Sequence, residues 1–274
     1  MNAAGISTSS DAGTARRDGD PADLDVSGIT VSFGGIVALD EVSFGVRSGQ
    51  IAGLIGPNGA GKTTMFNCLS RLYTPNKGHI RFAGHSLLDL TSHDIAAIGI
   101  GRTFQNLALF STMSVLDNVM VGGHARSKSD FLSNALGLAW VGREERRLRE
   151  RAMDVLDFVD LADLAAVPVS TLPFGTLKRV EMARALMSEP KLLLLDEPAG
   201  GLNHEEVAAL ASLIRAARDD RGATVLLVEH HMSLVMDVSD KVVALDFGRK
   251  IADGTPEEVR NDPEVIRAYL GTEG

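Results

Sequence analysis

The feature that most constrains this chain is a glycine-rich run from Gly56 to Thr64, with the sequence Gly-Pro-Asn-Gly-Ala-Gly-Lys-Thr-Thr. It fits the pattern G-x-x-x-x-G-K-[ST]. The glycines let the backbone curl so that successive N–H groups point at phosphate oxygens. Lys62 supplies a positive charge for the β- and γ-phosphates, and the Thr63 hydroxyl is a ligand for Mg²⁺. The run therefore predicts a phosphate-binding loop.

The residues on either side of the run support this interpretation. Gln50–Ile55 reads as a short buried strand. The segment after the loop carries apolar residues at helical spacing, which predicts a helix over Lys62–Arg71 whose N-terminus faces the phosphates: Met65, Phe66, Leu69 and Leu72. A chance glycine-rich turn is the alternative, and the correctly placed strand and helix argue against it.

Composition limits the class of protein. The chain has 274 residues, of which 45% are hydrophobic and 23% charged, as in a soluble globular protein with one large α/β domain or two small ones. The net charge of −9 argues against nucleic acid as the main partner, because binding phosphates favours a basic face. The single cysteine, Cys68, excludes an intrachain disulfide and is predicted to be a small core side chain.

The ends and the apolar runs suggest neither a signal peptide nor a membrane span. Residues 1–23 are rich in Ala, Ser, Gly and Asp and are predicted to form a disordered tail. The apolar runs Leu192–Leu195 and Val225–Val228 are strand-sized, well short of the roughly 18 residues that a spanning helix needs. We therefore expect a chain that does not cross a membrane by itself.

Apolar residues alternate from Leu24 to Val46, interrupted by Gly34-Gly35, which predicts antiparallel strands ahead of the phosphate loop. Phe33 adjoins this turn. From the pattern alone it is a residue at the edge of the core, although an aromatic ring there could stack on adenine.

The middle of the chain is predicted to be helical from Val115 to about Leu164. Its segment Arg143–Arg151 carries charges of both signs, which is typical of a solvated helix face first and of a docking surface second. Leu177, Val180 and Ala183 then have helical spacing after a loop. Together these segments predict a helical subdomain, at about residues 106–188.

Two further strands are predicted to end in chemically useful side chains. Leu192–Asp196 is a buried parallel strand followed at once by Glu197, a suitable place to hold Mg²⁺ and orient water beside phosphates. Thr224–Val228 is followed by Glu229-His230-His231. The two histidines point to opposite sides, so one of them at a γ-phosphate is favoured over a paired metal site. With the phosphate loop, this predicts an NTPase.

The ordered set of segments resembles the ATP-binding subunit of ABC transporters, over residues 24–271 as a single ABC ATPase domain. The resemblance implies an α/β P-loop NTPase fold with an antiparallel β subdomain and a helical subdomain, acting on ATP with Mg²⁺. It implies catalytic roles for Glu197 as general base, His230 as switch histidine, Gln105 and Lys62. It also implies that ATP is held by Phe33, Asn58, Gly59, Ala60, Gly61, Lys62, Thr63 and Thr64, and that Thr63, Gln105 and Asp196 lie at the metal.

Within that family the chain is most similar to the ATPases of branched-chain amino acid importers. The similarity rests on the strings Phe33–Gly35, Arg102–Gln105, Glu197–Glu206 and Gly254–Gly271. Such a resemblance implies a second ATPase subunit, with a heterodimer expected and a homodimer possible. It also implies two transmembrane permease subunits and, indirectly, a solute-binding protein outside the membrane. The chain itself would lie on the cytoplasmic face of the membrane.

One segment departs from the family pattern. The usual signature, Leu-Ser-Gly-Gly-Gln, is replaced by Leu172, Pro173, Phe174, Gly175 and Thr176. Pro173 removes a hydroxyl and a backbone N–H that could reach a phosphate. In dimers of the family the signature serves the partner's phosphate loop, so the site built on Lys62, Glu197 and His230 is expected to be the stronger one.

Other functions remain open at this point. They are an export ATPase like that of lipopolysaccharide export, a soluble non-transport ABC ATPase, and a nucleotide-binding regulatory subunit without turnover. The string Asn203–Glu206 and the charged segment between Gly123 and Ala152 favour import. A single phosphate loop argues against the soluble proteins with tandem domains.

Overall fold

The computed structural model describes residues 23–103, 107–123 and 139–270. The tail predicted for residues 1–23 therefore lies outside the described residues except for Asp23, whose carbonyl oxygen accepts a hydrogen bond of 2.9 Å from the N–H of Ala83. Gln105 also lies outside the described residues.

Two sheets account for the strands of the described part of the chain. The first is antiparallel, with strand order β2-β1-β4-β5: β1 Leu24–Phe33, β2 Ile36–Val46, β4 Lys77–Phe82 and β5 His85–Ser86. The second has the order β10-β9-β3-β8-β7-β6 and is parallel except at its antiparallel edge strand β10: β3 Ile51–Ile55, β6 Ile100–Arg102, β7 Leu192–Asp196, β8 Thr224–Val228, β9 Lys241–Asp246 and β10 Arg249–Gly254. The strands expected before and after the phosphate loop are confirmed.

The hairpin between β1 and β2 turns at Gly34-Gly35. Both glycines have positive φ, 55° and 91°, which a two-residue hairpin turn requires and other residues adopt at a cost. Phe33 and Ile36 are paired across this turn. The turn thus places the end of β1 at an exposed edge, with the Phe33 side chain 47% exposed.

Residues of the parallel strands alternate between two hydrophobic cores, as the period of two in a strand requires. In β3, Ile51 and Ile55 belong to one core, whereas Leu54 belongs to the other. In β7, Leu193 and Leu195 belong to the same core as Ile51, whereas Leu192 and Leu194 belong to the core that contains Leu54. Both faces are covered, which explains why these strands read as continuous apolar runs.

One core lies between the two sheets and contains helix α1, Lys62–Leu69. Met65, Phe66 and Cys68 of this helix are fully buried in it. The burial of Cys68 confirms the prediction of a core side chain. That burial also raises the pKa of the Cys68 thiol to about 11. The helix ends two residues earlier than predicted, because Arg71 adopts a left-handed backbone with φ 57°.

The other core lies on the opposite face of the parallel sheet, where most of the remaining helices pack. In chain order the remaining helices are α2 Asp94–Ala97, α3 Val115–Gly123, α4 Ala139–Phe158, α5 Phe174–Leu186, α6 His204–Asp219, α7 Met232–Val238, α8 Pro256–Arg260 and α9 Pro263–Leu270. Helices α3, α4 and α5 fall inside the predicted helical subdomain, whose boundaries stay a prediction. The helix predicted to reach Leu164 ends at Phe158, and Ala162–Leu164 forms a separate 3₁₀ turn after Asp160, which has φ 55°.

Among the helices that the structure describes, none combines the length and the hydropathy needed to cross a bilayer.

Helices α6 and α8 begin with capping boxes at Asn203 and Thr255. Thr255 Oγ1 accepts a hydrogen bond from Glu258 N, and the Glu258 carboxylate accepts one of 2.8 Å from Thr255 N. This bond from the Thr255 backbone N–H holds the pKa of Glu258 below its usual range.

Removing the cap at α8 is expected to destabilise the protein. Thr255→Ala deletes the Oγ1 acceptor and should lower the free energy of unfolding by about 1 kcal/mol, measured by urea denaturation. Thr255→Ser, which keeps the hydroxyl, is the matched control and should have the same free energy of unfolding as the wild-type protein. Equal stability of all three would show that this cap contributes nothing.

Candidate nucleotide site

The glycine-rich run connects β3 to α1 and has the backbone that a phosphate cradle requires. Gly56, Gly59 and Gly61 all have positive φ, 149°, 81° and 101°. A Cβ built on Gly61 would lie 2.7 Å from the carbonyl oxygen of Ala38, so no other residue fits there without a shift. Gly61 is also the N-cap of α1, so the first N–H groups of that helix open toward the loop.

Lys62 lies folded under this loop. Its side chain is 5% exposed, and its ammonium group donates hydrogen bonds of 2.6 Å to the carbonyl oxygen of Gly56 and 2.9 Å to that of Pro57. Burial lowers the pKa of Lys62, and the negative charge of Glu197 opposes that shift. The lysine thus braces the loop and supplies its positive charge.

A cavity of about 320 Å³ opens above the loop. It brings together three of the four predicted catalytic residues, Lys62, Glu197 and His230; the fourth, Gln105, lies outside the described residues. The lining residues are Ala38, Asn58, Gly59, Ala60, Gly61, Lys62, Thr63, Thr64, Glu197 and His230. Phe33 is not in that lining. Its ring packs edge-on against Tyr73, with centroids 5.2 Å apart, so its stacking on adenine stays a prediction.

Glu197 and His230 are in direct contact. Glu197 Oε1 and His230 Nε2 are 2.6 Å apart, and the two side chains are 20% and 43% exposed, so both are accessible from the cavity. Glu197 has φ 48°, a left-handed conformation that non-glycine residues seldom adopt and that is often found at functional sites. Its N–H is tied to the carbonyl oxygen of Val228 at 2.9 Å, which joins the ends of β7 and β8.

Asp196 lies just behind Glu197 and is only 3% exposed. Arg102 Nη2 contacts Asp196 Oδ2 at 2.7 Å, and Arg102 Nη1 also donates to Asn67 Oδ1 at 3.0 Å and to Ser70 Oγ at 2.9 Å. The arginine therefore joins the end of β7 to helix α1. The sequence reasoning missed this pair, although an arginine within an otherwise apolar edge strand is a signal that could have suggested it.

Glu229 is a second residue that the sequence reasoning missed. It is 1% exposed, and its carboxylate accepts hydrogen bonds from backbone N–H groups of two segments. Oε1 accepts from Ala199 N at 2.6 Å, and Oε2 accepts from His230 N at 2.9 Å and His231 N at 3.2 Å. A buried carboxylate requires such donors. Glu229 therefore joins the segment after Glu197 to the segment that carries His230.

The signature segment lies apart from this cavity, because none of Leu172–Thr176 is among its lining residues. Pro173 is the N-cap of α5, which begins at Phe174. Phe174 is 46% exposed, and Gly175 packs so closely on Glu206 that a Cβ would lie 2.1 Å from Oε1. Its role in a partner's site stays a prediction.

The residues of the site fit the groups that the sequence implies. The open space above Gly59, where an added Cβ would meet no atom within 4 Å, leaves room for phosphates against the loop backbone. The Thr63 hydroxyl and the Asp196 carboxylate are oxygen donors of the kind that Mg²⁺ prefers.

Solved structures place this fold among ATP-binding cassettes. The nucleotide-free ATP-binding cassette from an ABC transporter matches with a TM-score of 0.78 and 30% identity, covering 90% of this chain and 98% of that one. The ADP conformation of MJ1267, an ATP-binding cassette of an ABC transporter, matches with a TM-score of 0.79 and 29% identity, covering 90% and 98%.

Sequence comparisons narrow the class. The ABC transporter family matches residues 39–200, and the branched-chain amino acid ATP-binding cassette transporter family matches residues 249–274. The high-affinity branched-chain amino acid transport ATP-binding protein BraF of Pseudomonas aeruginosa is 44% identical, over 90% of this chain and 97% of BraF. The corresponding protein LivG of Escherichia coli K12 is 41% identical over the same shares. The chain belongs to the ABC transporter family, as an ATP-hydrolysing ATP-binding subunit.

The family resemblance, the α/β P-loop fold and the ATPase class expected from the sequence are thereby confirmed. The branched-chain amino acid transport functions of these relatives favour import over export or a soluble ABC ATPase.

Glu229→Gln is expected to disturb the contact between Glu197 and His230 without lying in the lining of the cavity itself. An amide places an NH₂ group against the backbone donors of Ala199 or His230, so the free energy of unfolding should fall by about 1–3 kcal/mol. ATP turnover should fall with it, because Glu197 and His230 lose their fixed separation.

Glu150→Gln, an exposed substitution on α4, is the matched control and should leave both quantities unchanged. Wild-type stability and turnover in Glu229→Gln would show that Glu229 is not needed to hold Glu197 and His230 in position. The measurements are urea denaturation and steady-state phosphate release.

Proposed function

We propose that this chain binds and hydrolyses MgATP to drive uptake of branched-chain or related amino acids through separate permease subunits. The observation that carries the proposal is the contact between Glu197 and His230 inside the cavity of the phosphate loop. A carboxylate that can orient water and a histidine that can reach a γ-phosphate are thus held side by side.

The proposed mechanism assigns a role to each side chain. The loop N–H groups and Lys62 bind the phosphates and stabilise the charge that develops in the transition state. Glu197 accepts a proton from the attacking water, and His230 moves from Glu197 to the γ-phosphate. Thr63, Asp196 and Gln105 would hold Mg²⁺, which would supply positive charge to neutralise the phosphates.

Amino acid uptake is proposed from the relatives. BraF and LivG are both named as high-affinity branched-chain amino acid transport proteins, and each is matched over 97% of its own length. The match to a branched-chain amino acid cassette family at residues 249–274 supports the same solute class.

The permease contact is proposed at a groove of about 500 Å³ beside the site. It lies between the α1–α2 side of the molecule and helices α3 and α5, with Leu72, Ile95, Arg102, Phe110, Gly122 and Arg184 among its lining residues. Phe110 is 51% exposed there, as a docking residue would be. Because Arg102 also pairs with Asp196, a permease segment in this groove would lie one side chain away from the metal ligands. That contact would hold the chain at the cytoplasmic face of the membrane.

A second ATPase chain is proposed to complete the dimer. Pro173 lacks both the hydroxyl and the N–H of the usual signature serine, so the site that this chain's signature completes in the partner would bind phosphate more weakly. The site with Lys62, Glu197 and His230 would then carry most of the turnover.

Glu197→Gln tests the hydrolytic role. The amide cannot accept the proton of water, so turnover in the assembled transporter should fall by about 10²–10⁴-fold, measured as phosphate release. ATP affinity, measured by titration of the same variant, should be unchanged, because the phosphate loop is intact. Near-normal turnover would remove Glu197 from the role of base.

The proposed difference in turnover between the two ATP sites is tested in the reconstituted heterodimer. Glu197→Gln in this chain should abolish most of the ATP turnover, whereas the same removal in the partner ATPase should leave the greater part of it. Equal residual turnover after either substitution would contradict a stronger site on this chain. In a separate assay, strong ATPase activity of this chain without its partner would show that Leu172–Thr176 is a competent signature.

A further inference from the structure

The C-terminal helix α9 contacts the phosphate loop directly. Val265 anchors the helix in the core at 3% exposure, and Tyr269, one turn later on the same face, packs against that core. The Tyr269 hydroxyl accepts a hydrogen bond of 2.8 Å from the N–H of Gly56, the first residue of the loop. A side chain 213 positions away thus reaches the start of the nucleotide site.

The peptide groups of Gly56 connect this contact to Lys62. The N–H of Gly56 is held by Tyr269, and its carbonyl oxygen accepts a hydrogen bond of 2.6 Å from the Lys62 ammonium group. Gly56 has little freedom to move, since a Cβ placed on it would lie 2.2 Å from the carbonyl oxygen of Leu245 and 2.9 Å from Cβ of Ala60. Tyr269 and Lys62 therefore both hydrogen-bond to Gly56, a residue that close packing holds in place.

The strand pair before α9 supports the same loop from a second point. Gly248, at the turn between β9 and β10, donates a hydrogen bond of 3.1 Å to the carbonyl oxygen of Ala60, and its own carbonyl oxygen accepts one of 2.8 Å from Asp40. The C-terminal part of the chain thus bonds to the loop near both its start and its middle.

We propose that Tyr269 is a positioning residue for nucleotide binding, whose hydroxyl holds Gly56, and through it Lys62, in the phosphate-binding conformation before ATP arrives. The inference rests on the proposed role of the Gly56–Thr64 loop in binding ATP. It gives the segment matched at residues 249–274 a physical task within the ATPase cycle.

A tyrosine suits this task for a chemical reason. Burial raises the pKa of the Tyr269 hydroxyl above its ordinary value, and the bond from Gly56 opposes that rise. The hydroxyl therefore stays neutral at neutral pH, and it accepts a hydrogen bond without placing a negative charge beside the phosphates.

Tyr269→Phe is the test, because it removes the hydroxyl and keeps the ring that packs on the core. Loss of one bond to a partly buried N–H should raise the Kd for a non-hydrolysable MgATP analogue roughly three- to tenfold, measured by calorimetric titration of the full chain. KM for ATP in the assembled transporter should rise by the same factor while kcat stays within about twofold, since the loop holds phosphates in both ground and transition states.

Hydrogen exchange supplies a readout that general destabilisation would not reproduce. The Gly56 amide should exchange faster in Tyr269→Phe, whereas amides of the core strand β7 should exchange at the wild-type rate. Leu270→Ala, on the same helix and 66% exposed in the wild-type chain, is the control and should change neither Kd nor Gly56 exchange.

The outcomes separate this inference from the proposed function. Wild-type Kd and KM in Tyr269→Phe would overturn the role of Tyr269, provided that Lys62→Ala abolishes binding. Intact binding in Lys62→Ala would instead overturn the proposed nucleotide loop, and with it this inference. Should Tyr269→Phe fail to fold, the exchange rate of the Gly56 amide in the wild-type chain tests the inference instead. A rate as fast as those of the exposed Asn58 and Gly59 amides would show that Tyr269 does not hold Gly56.

Discussion

The site depends on the hydrogen-bonded register of three parallel strands. Asp196 is paired with Val228 across β7 and β8, and Leu54 of β3 is paired with Val228 on the other side, so all three strands end at one level. Parallel strands place their carboxyl ends at the same edge, and the loops that leave those ends must meet there. The phosphate loop, the carboxylates and the histidine are neighbours for this reason alone, although 174 positions separate Gly56 from His230 (230 − 56). A slip of one residue in β7 would turn Asp196 to the opposite face.

Much of this arrangement could be predicted from the sequence, because its parts carry local signals. The G-x-x-x-x-G-K-[ST] run defines a loop by itself. Fully apolar strands followed by acids or a histidine define the other strand ends, and Asn203 with Glu206 defines a helix start by a local pattern. Residues with a strong local constraint of this kind were the ones placed correctly.

The contacts that were missed join residues far apart in the chain. Arg102 meets Asp196, Glu229 meets Ala199, and Tyr269 meets Gly56, and no local pattern records these pairings. Each satisfies a buried charge or a buried N–H, a requirement that becomes visible only when burial is known. The helix ends show the same limit on a smaller scale. The chain leaves the helical conformation after Leu69 and after Phe158 through left-handed residues that a hydrophobic pattern does not register.

The packing of Gly175 changes what its presence in the altered signature means. Any side chain there would displace the carboxylate of Glu206, whose other oxygen accepts a hydrogen bond of 2.9 Å from the N–H of Asn203 and so starts helix α6. That displacement would cost the chain about 1 kcal/mol of its own stability. The glycine thus has a packing role within the chain's own fold whether or not a second subunit uses it. Its presence beside Pro173 therefore does not indicate a working signature, and binding or turnover at the partner's site must be measured directly.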